Sequence, residues 1–443
     1  MTGIGKTATS VSPTGTPLID GVLSGSAWTG AVTYAFPARS GAYGYGPENT
    51  DSFAAVSAAQ RSAARFAMDI NDGKGANDGF SIEGFTAVDI TAGTSTSANI
   101  RLAQSATPPT AYAFYPGTYD SAGDIWFGTA YAGGINDYRK PVAGNYAWQT
   151  MLHEIGHAFG LKHGHESPSL PANNDSLEYS VMTYRSYIGG TASVTYENYG
   201  APQTYMMADI AALQHMYGAD FSTNSGKTVY RWTPDNGRTY VNGEVAITPG
   251  ANRIFATIWD GGGVDTYDLS RYATDLRIDL RPGRHSVFDD DQLAYLGGGP
   301  NSGYARGNIF NALQYDGDPR SLIENAFGGS GDDLIFGNQA ENALRGGGGS
   351  DRLNGLRGND TFIGGTGRDV FVFTRNSDRD TVRDFTDGTD RVDLSSFDFG
   401  SKQDALARVR DAGSDVVFLF GHGDRLTLRN VDIDDLGAGD III

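Results

Sequence analysis

Between residues 146 and 161 the chain places Trp148, Leu152, Ile155 and Phe159 at i, i+4, i+7 and i+11, the apolar stripe of a helix. A second helix is predicted over 205–217. A third is predicted over 50–70, where the capping group Thr50-Asp51-Ser52 precedes an Ala-rich run. Short β-type runs lie at Ala31–Pro37, Phe85–Ile90, Ala98–Leu102, Ala111–Tyr115 and Ile125–Ala130. Few helices among many short strands predict an α/β or α+β domain over 31–220. Residues 1–30, rich in Thr, Ser, Gly and Pro, read as a loose N-terminal arm.

Beyond residue 250 the pattern changes to short strands separated by Gly-rich and Asp-rich turns. Residues 328–372 divide into five nine-residue units: GGSGDDLIF, GNQAENALR, GGGGSDRLN, GLRGNDTFI and GGTGRDVFV. Each begins with Gly. The sixth position is Asp333, Asn342, Asp351, Asp360 and Asp369, and the eighth is Ile335, Leu344, Leu353, Phe362 and Phe371. A flexible linker needs neither a fixed acid nor a fixed large apolar residue. The spacing is that of the calcium-binding parallel β-roll. The expected architecture is therefore two-domain, with an all-β parallel β-roll or sandwich over 221–443. Within the roll, hard oxygen ligands for Ca2+ are expected from Asp333, Asp351, Asp360 and Asp369. Turn carbonyls of Gly329, Gly331, Gly346, Gly347, Gly348, Gly349, Gly355 and Gly364 complete that set. The second unit, with Ala340 and Asn342, is expected to hold its ion weakly or not at all. Facing carboxylates over a thin core predict folding coupled to cation binding.

Composition adds constraints. Hydrophobic residues make up 39% of 443 residues, enough for packed cores, and 61 are Gly, about twice ordinary usage. With 52 acids against 33 bases the net charge is −19, which disfavours nucleic acid and anionic membranes as partners. No Cys is present, which excludes disulfides and thiolate metal sites. The N-terminal stretch Met1–Ala8 lacks a signal-peptide core, and no run reaches membrane-spanning length.

Four of the seven histidines fall between 153 and 165. His153 and His157, one helical turn apart, can grip a single metal ion, and Glu154 can reach a water beside it. Gly160 lets the chain leave the helix sharply, so that His163 returns as a third nitrogen ligand. Three imidazoles without a thiolate favour Zn2+ in a catalytic site with room for water. His165 lies beyond the pattern and reads as a loop residue rather than a ligand.

The run His153-Glu-Ile-Gly-His-Ala-Phe-Gly-Leu-Lys-His163, followed by Ser180-Val-Met-Thr-Tyr184, resembles the metzincins and within them the serralysins. The resemblance extends over nearly the whole chain, through 201–218, Trp259–Asp268 and Ile323–Gly329. It implies that Met182 underlies the metal and that Tyr184 ligates Zn2+ and stabilises the oxyanion. It further implies Ca2+ at Asp260, Gly262, Gly263, Asp265 and Glu324. Departures are Gly164 where the family commonly has Pro, Lys227 near an early calcium segment, and an arm of about thirty residues in place of a longer propeptide.

These readings lead to a secreted zinc endopeptidase of broad specificity, stabilised by calcium and acting as a monomer on protein and peptide substrates. Glu154 is the expected general base, and a strand near Ile125–Tyr131 is expected to pair with the substrate backbone. The ending Asp440-Ile-Ile-Ile443 resembles the export signal of the type I secretion apparatus, against the plainer reading of a final strand. The competing class is a non-catalytic, calcium-binding secreted adhesin.

Overall fold

The computed structural model describes residues 6–443; the first five residues of the predicted arm, and the start of the stretch read for a leader, lie outside the described residues. From Lys6 onward the arm is not loose. Ala8–Ser10 pairs antiparallel with Ser26–Trp28, and Leu23 bridges Leu161. Lys162 N–H donates to Val22 O at 2.7 Å, and Trp28 Nε1 donates to Ala158 O at 2.8 Å. Apolar anchors at Val22 and Trp28, both buried, outweigh the polar composition that suggested a mobile segment.

The helices form at Ala58–Met68, Tyr146–Ala158 and Met207–Tyr217. The first starts later than the Thr50 signal suggests, because Ser57 and Gln60 form the capping box there. One predicted strand is displaced. Ile82–Phe85 is a helical turn capped by Ser81, and the strand runs over Ile90–Ala92. The N-terminal sheet has the order Ile90–Ala92, Val32–Ala35, Ile100–Ser105, Asp124–Gly128, Ala111–Ala113; all neighbours are parallel except the last pair. Thus Asp124–Gly128 is interior, and Ala111–Ala113 is the edge. The strand expected to meet a peptide is therefore not the one named from sequence: neighbours already take both its edges. Tyr146–Ala158 packs between this sheet and helix Ala58–Met68, with the Trp148 and Phe66 rings 4.9 Å apart.

After residue 260 the chain winds into two stacked parallel ladders. Asn325–Phe327, Ala343–Gly348 and Thr361–Thr366 neighbour one another in one sheet; Leu334–Phe336, Arg352–Asn354 and Val370–Val372 do so in the other. Every full turn consumes two nine-residue units, so Leu344 lies beside Phe362 and Ile335 beside Leu353. The five eighth-position side chains are at most 1% exposed. The spacing of Gly and Asp has a steric cause. A Cβ on Gly346, Gly355 or Gly364 would lie 2.0, 1.8 or 2.2 Å from the carboxylate of Asp351, Asp360 or Asp369 in the same unit. That carboxylate folds back over the first position, leaving no room for a side chain there. The last ordered strand, Ile441–Ile442, closes the second ladder against Arg391–Asp393.

One continuous cluster of buried apolar residues joins the N-terminal and C-terminal regions. Because Phe362 fills a core only two sheets thick, Phe362→Ala should cost about 3–5 kcal/mol in chemical denaturation with cations present. A loss under about 1 kcal/mol would mean the roll interior is not tightly packed.

Candidate metal centre

Helix Tyr146–Ala158 starts at Asn145, whose side chain caps Trp148 N, and ends where Gly160 turns with φ +104°. A Cβ at Gly160 would sit 2.2 Å from Ser26 O, so the turn and the N-terminal hairpin together require glycine. The turn brings His163 back beside His153 and His157. Nε2 of His157 is 3.1 Å from Nε2 of His153 and 3.1 Å from Nε2 of His163. Each Nδ1 meets an oxygen that can only accept: Val181 O at 2.8 Å for His153, Leu161 O at 2.7 Å for His157, and Glu166 Oε1 at 2.6 Å for His163. The ring protons therefore lie on Nδ1, and three Nε2 lone pairs point at one place. Burial and the neighbouring rings push His157 well below the ordinary imidazole range and His153 down to about 4. Convergent, unprotonated nitrogens repel one another unless a cation lies between them, so this donor set fits a divalent metal. Separations of 3.1 Å agree with the roughly 3.3 Å expected between nitrogens on a tetrahedral ion with bonds of 2.0–2.1 Å.

Beneath the histidines, Met182 is fully buried. Its Sδ is 2.7 Å from where a Cβ on Gly156 would be, so the glycine between the two helical histidines admits the methionine. Asp209, near the start of helix Met207–Tyr217, ties this turn down. It accepts from Ser180 Oγ at 2.5 Å and from Val181 N at 2.8 Å, and Ser180 Oγ accepts from Met182 N at 2.9 Å. The carbonyl that orients His153 is thus fixed from the next helix.

Glu154 lines a cavity of about 100 Å³ that His153 also borders. It is 5% exposed, its Oε2 has no partner, and burial raises its carboxyl to about 8. Thr110 and Ala111 at the sheet edge line the same cavity, with Tyr146, His153 and Tyr184. The hydroxyl of Tyr184 donates to His163 Nε2 at 2.7 Å, and burial raises it to about 12. His165 is exposed and outside the three-nitrogen set, 5.2 Å ring to ring from His163.

Comparison with known proteins finds metallopeptidase relatives. The family model described as "Peptidase M10 serralysin C terminal" matches residues 219–443. "Metallopeptidase AprA" of Pseudomonas marginalis is 37% identical over 359 residues, covering 75% of this chain and 68% of that protein. The chain belongs to the serralysin family. "Serralysin G" of Dickeya chrysanthemi is 39% identical over 65% of this chain and 56% of its own length. "Metalloprotease AprA" of Pseudomonas entomophila (strain L48) is 41% identical over 58% of this chain and 51% of its own length. The alignments thus span about half to two thirds of these serralysins.

Two acidic sites accompany the histidines in this family member. In the first, Asp260 accepts from Gly262 N at 2.8 Å, Glu324 accepts from Asp265 N at 2.7 Å, and the buried Oδ2 of Asp265 has no partner. Gly226 O crowds Gly263, which lies 1.8 Å from that carbonyl if given a Cβ. Burial and mutual repulsion raise the Asp260–Asp265 pair above the usual carboxylate range. In the second, Asp333 N donates to Asp351 Oδ1, Asp351 N to Asp369 Oδ1, and Asp360 N to Asp380 Oδ1, at 2.8, 2.9 and 2.9 Å. Asp360 accepts likewise from Asn342 N at 2.8 Å, and Asp351, Asp360, Asp369 and Asp380 each leave the other oxygen without a partner. Asn342 instead satisfies its amide on Asn338 at 3.1 Å. Among the described residues, three His or acidic side chains converge within 4.8 Å only around His163. A cation in the ladder must therefore draw on turn carbonyls such as those of Gly329, Gly331 and Gly346–Gly349.

Three contributors escaped the sequence reading. Glu166 and Asp209 carry no motif of their own and are recognisable only as partners of ligands. Asp380 follows Asp360 by twenty residues, so it falls outside the nine-residue period.

Gly156→Ala should displace Met182 and weaken metal binding by about tenfold in a chelator competition; unchanged affinity would remove Met182 from the account. In cation-free protein the ladder carboxyls are raised, Asp333 and Asp369 to about 6, Asp360 to about 7 and Asp351 to about 8, largely by burial. Unfolded aspartates titrate near about 3.9. Between these limits the folded state binds more protons, so stability falls as pH rises from about 4 to 8. Thermal unfolding in chelator should come at lower temperature at pH 8 than at pH 5. The reverse order would contradict the buried, cation-seeking character of the ladder.

Proposed function

We propose that this chain is a zinc-dependent endopeptidase whose C-terminal region is held folded by calcium and which acts outside the cell. The observation that carries the reading is the convergence of three Nε2 lone pairs beside a buried, unpartnered Glu154 carboxylate. His153, His157 and His163 would hold the ion. When bound, Zn2+ supplies a Lewis acid for the scissile carbonyl and lowers the pKa of water toward about 7.

The remaining steps belong to the protein. The edge strand Ala111–Ala113 has a free side, and an extended peptide can add to it by backbone hydrogen bonds with little demand on side-chain identity. Broad specificity follows from that mode of binding. Glu154 takes the proton from the attacking water and returns it to the leaving amine nitrogen. A dication next to it would draw its raised pKa back down, so that the carboxylate is ionised when water is present. Tyr184 turns its hydroxyl from His163 to the developing oxyanion. Its ring is 43% exposed and lies against the imidazoles of His153, His163 and His165.

Calcium is the proposed occupant of both acidic sites, because unpartnered carboxylate oxygens beside carbonyl-rich turns supply hard ligands and no nitrogen or sulfur. Coupling of folding to calcium would suit export of an unfolded chain through a type I apparatus. No helix of the described residues is long and apolar enough to cross a membrane. The proposed working form is a monomer.

Glu154→Gln should retain zinc while reducing casein hydrolysis by at least about 10²-fold. Activity within a few-fold of the parent would exclude Glu154 as the base.

A further inference from the structure

One wall of the cavity beside Glu154 is the stretch 193–197, which belongs to no sheet. Its only ladder-like contact is a single bridge from Ser193 to Arg185, the residue after Tyr184. Side chains alternate along it. Val194 and Tyr196 line the cavity, while Thr195 and Glu197 face the C-terminal region. Val194 is 47% exposed, so packing alone does not hold the wall.

Tyr196 packs against the core and Thr195 N–H donates to Ser186 Oγ at 3.0 Å, and polar contacts to the C-terminal region add to these. Thr195 Oγ1 donates to Leu296 O at 2.6 Å. Glu197 N donates to Tyr295 O at 2.9 Å, and Tyr295 N donates back to Glu197 Oε1 at 2.9 Å. The same carboxylate receives Arg253 Nε at 2.6 Å and a second guanidinium nitrogen at 3.2 Å. Arg253 in turn donates to Asp291 O. The fit is close. A Cβ on Gly297 would lie 2.4 Å from Thr195 O, and one on Gly298 would lie 2.5 Å from the Tyr187 ring. Charge-assisted, forked bonds of this kind fix orientation as well as adding stability.

We propose that Glu197, clamped by Arg253 and Tyr295, is a specificity-determining positioning residue through which the C-terminal region sets the width of the cavity beside the scissile bond. The inference rests on the peptidase reading of the metal centre. A wall held at fixed distance can discriminate among side chains by size, and a methylene too many or too few is worth about 10–200-fold in such a pocket. A wall released from its clamp yields to bulky residues and loses that discrimination. The C-terminal region then contributes to selectivity while remaining remote from the reacting atoms.

The test uses the full chain loaded with zinc and calcium, and a peptide library varied at the residues flanking the cleaved bond. Glu197→Ala and Arg253→Met should each broaden the size preference at one flanking position by about tenfold, mainly through KM, with kcat for the best peptide changed less than about threefold. Glu197→Gln, which keeps an acceptor for Tyr295 and Arg253, should recover most of the parental profile. Hydrogen exchange at the amides of 193–197 should quicken in the Ala and Met variants, a readout independent of cleavage. An unchanged profile with unchanged exchange would overturn the proposal, as would a uniform fall in kcat for all peptides accompanied by weaker zinc binding. A parent protein that cleaves nothing would instead defeat the peptidase reading, and the exchange measurement would still decide the clamp.

Discussion

Three imidazole nitrogens aimed at one point are an unfavourable arrangement that the surrounding protein has to enforce. Enforcement comes through the opposite ring nitrogens. Two are bonded to backbone carbonyls, of Val181 and Leu161, and one to the Glu166 carboxylate. Each of those acceptors is fixed by something else. Asp209 fixes the Val181 turn, and Gly160 with the N-terminal hairpin fixes the Leu161 segment. Lys162, buried, bonds to Gly21 O and Glu166 O and so ties the third acceptor's loop to that hairpin. Segments from both ends of the N-terminal region thus converge on the orientation of three rings. A cation turns this frustrated convergence into a favourable one.

The C-terminal ladder follows the same logic with oxygen. Each stacked Asp uses one oxygen to satisfy a backbone N–H on a neighbouring turn, which holds the carboxylates in register and brings like charges close. Free oxygens on Asp351, Asp360, Asp369 and Asp380 are the cost of that register. The apolar interior beneath them takes one eighth-position side chain from each ladder per turn. The proposed calcium load would offset the repulsion among these carboxylates and tie the stability of the two ladders to cation binding. Arg253, Tyr295 and Leu296, which lie in the C-terminal region outside both ladders, reach the cavity next to the metal centre.

Local rules make much of this legible in the sequence. The spacing from His153 to His163 led to the metal site because a helix and one glycine turn suffice to bring those rings together. The nine-residue period led to the roll because Gly at position one and Asp at position six are coupled sterically within a single unit. Failures occurred where tertiary contacts decided the outcome. Phe85 entered a helical turn because Ser81 caps it, although the run Phe85–Ile90 has strand composition. Ala111–Ala113 rather than Ile125–Gly128 became the sheet edge, a matter of strand order that no residue in either run encodes. The polar N-terminal arm became structural because Trp28 found Ala158, 130 residues away, and Val22 found Lys162. Glu166, Asp209 and Glu197 were invisible as functional candidates, since each acts through a group that the fold alone brings near.

X-ray absorption at the zinc edge on the purified, zinc-loaded chain tests the central claim most directly. The account predicts one zinc per chain with three imidazole nitrogens at about 2.0–2.1 Å and additional light-atom oxygen scattering. Substitution of His163 by Ala should remove one imidazole from that shell. A spectrum with fewer than three imidazoles, or one unaltered by loss of His163, would contradict it.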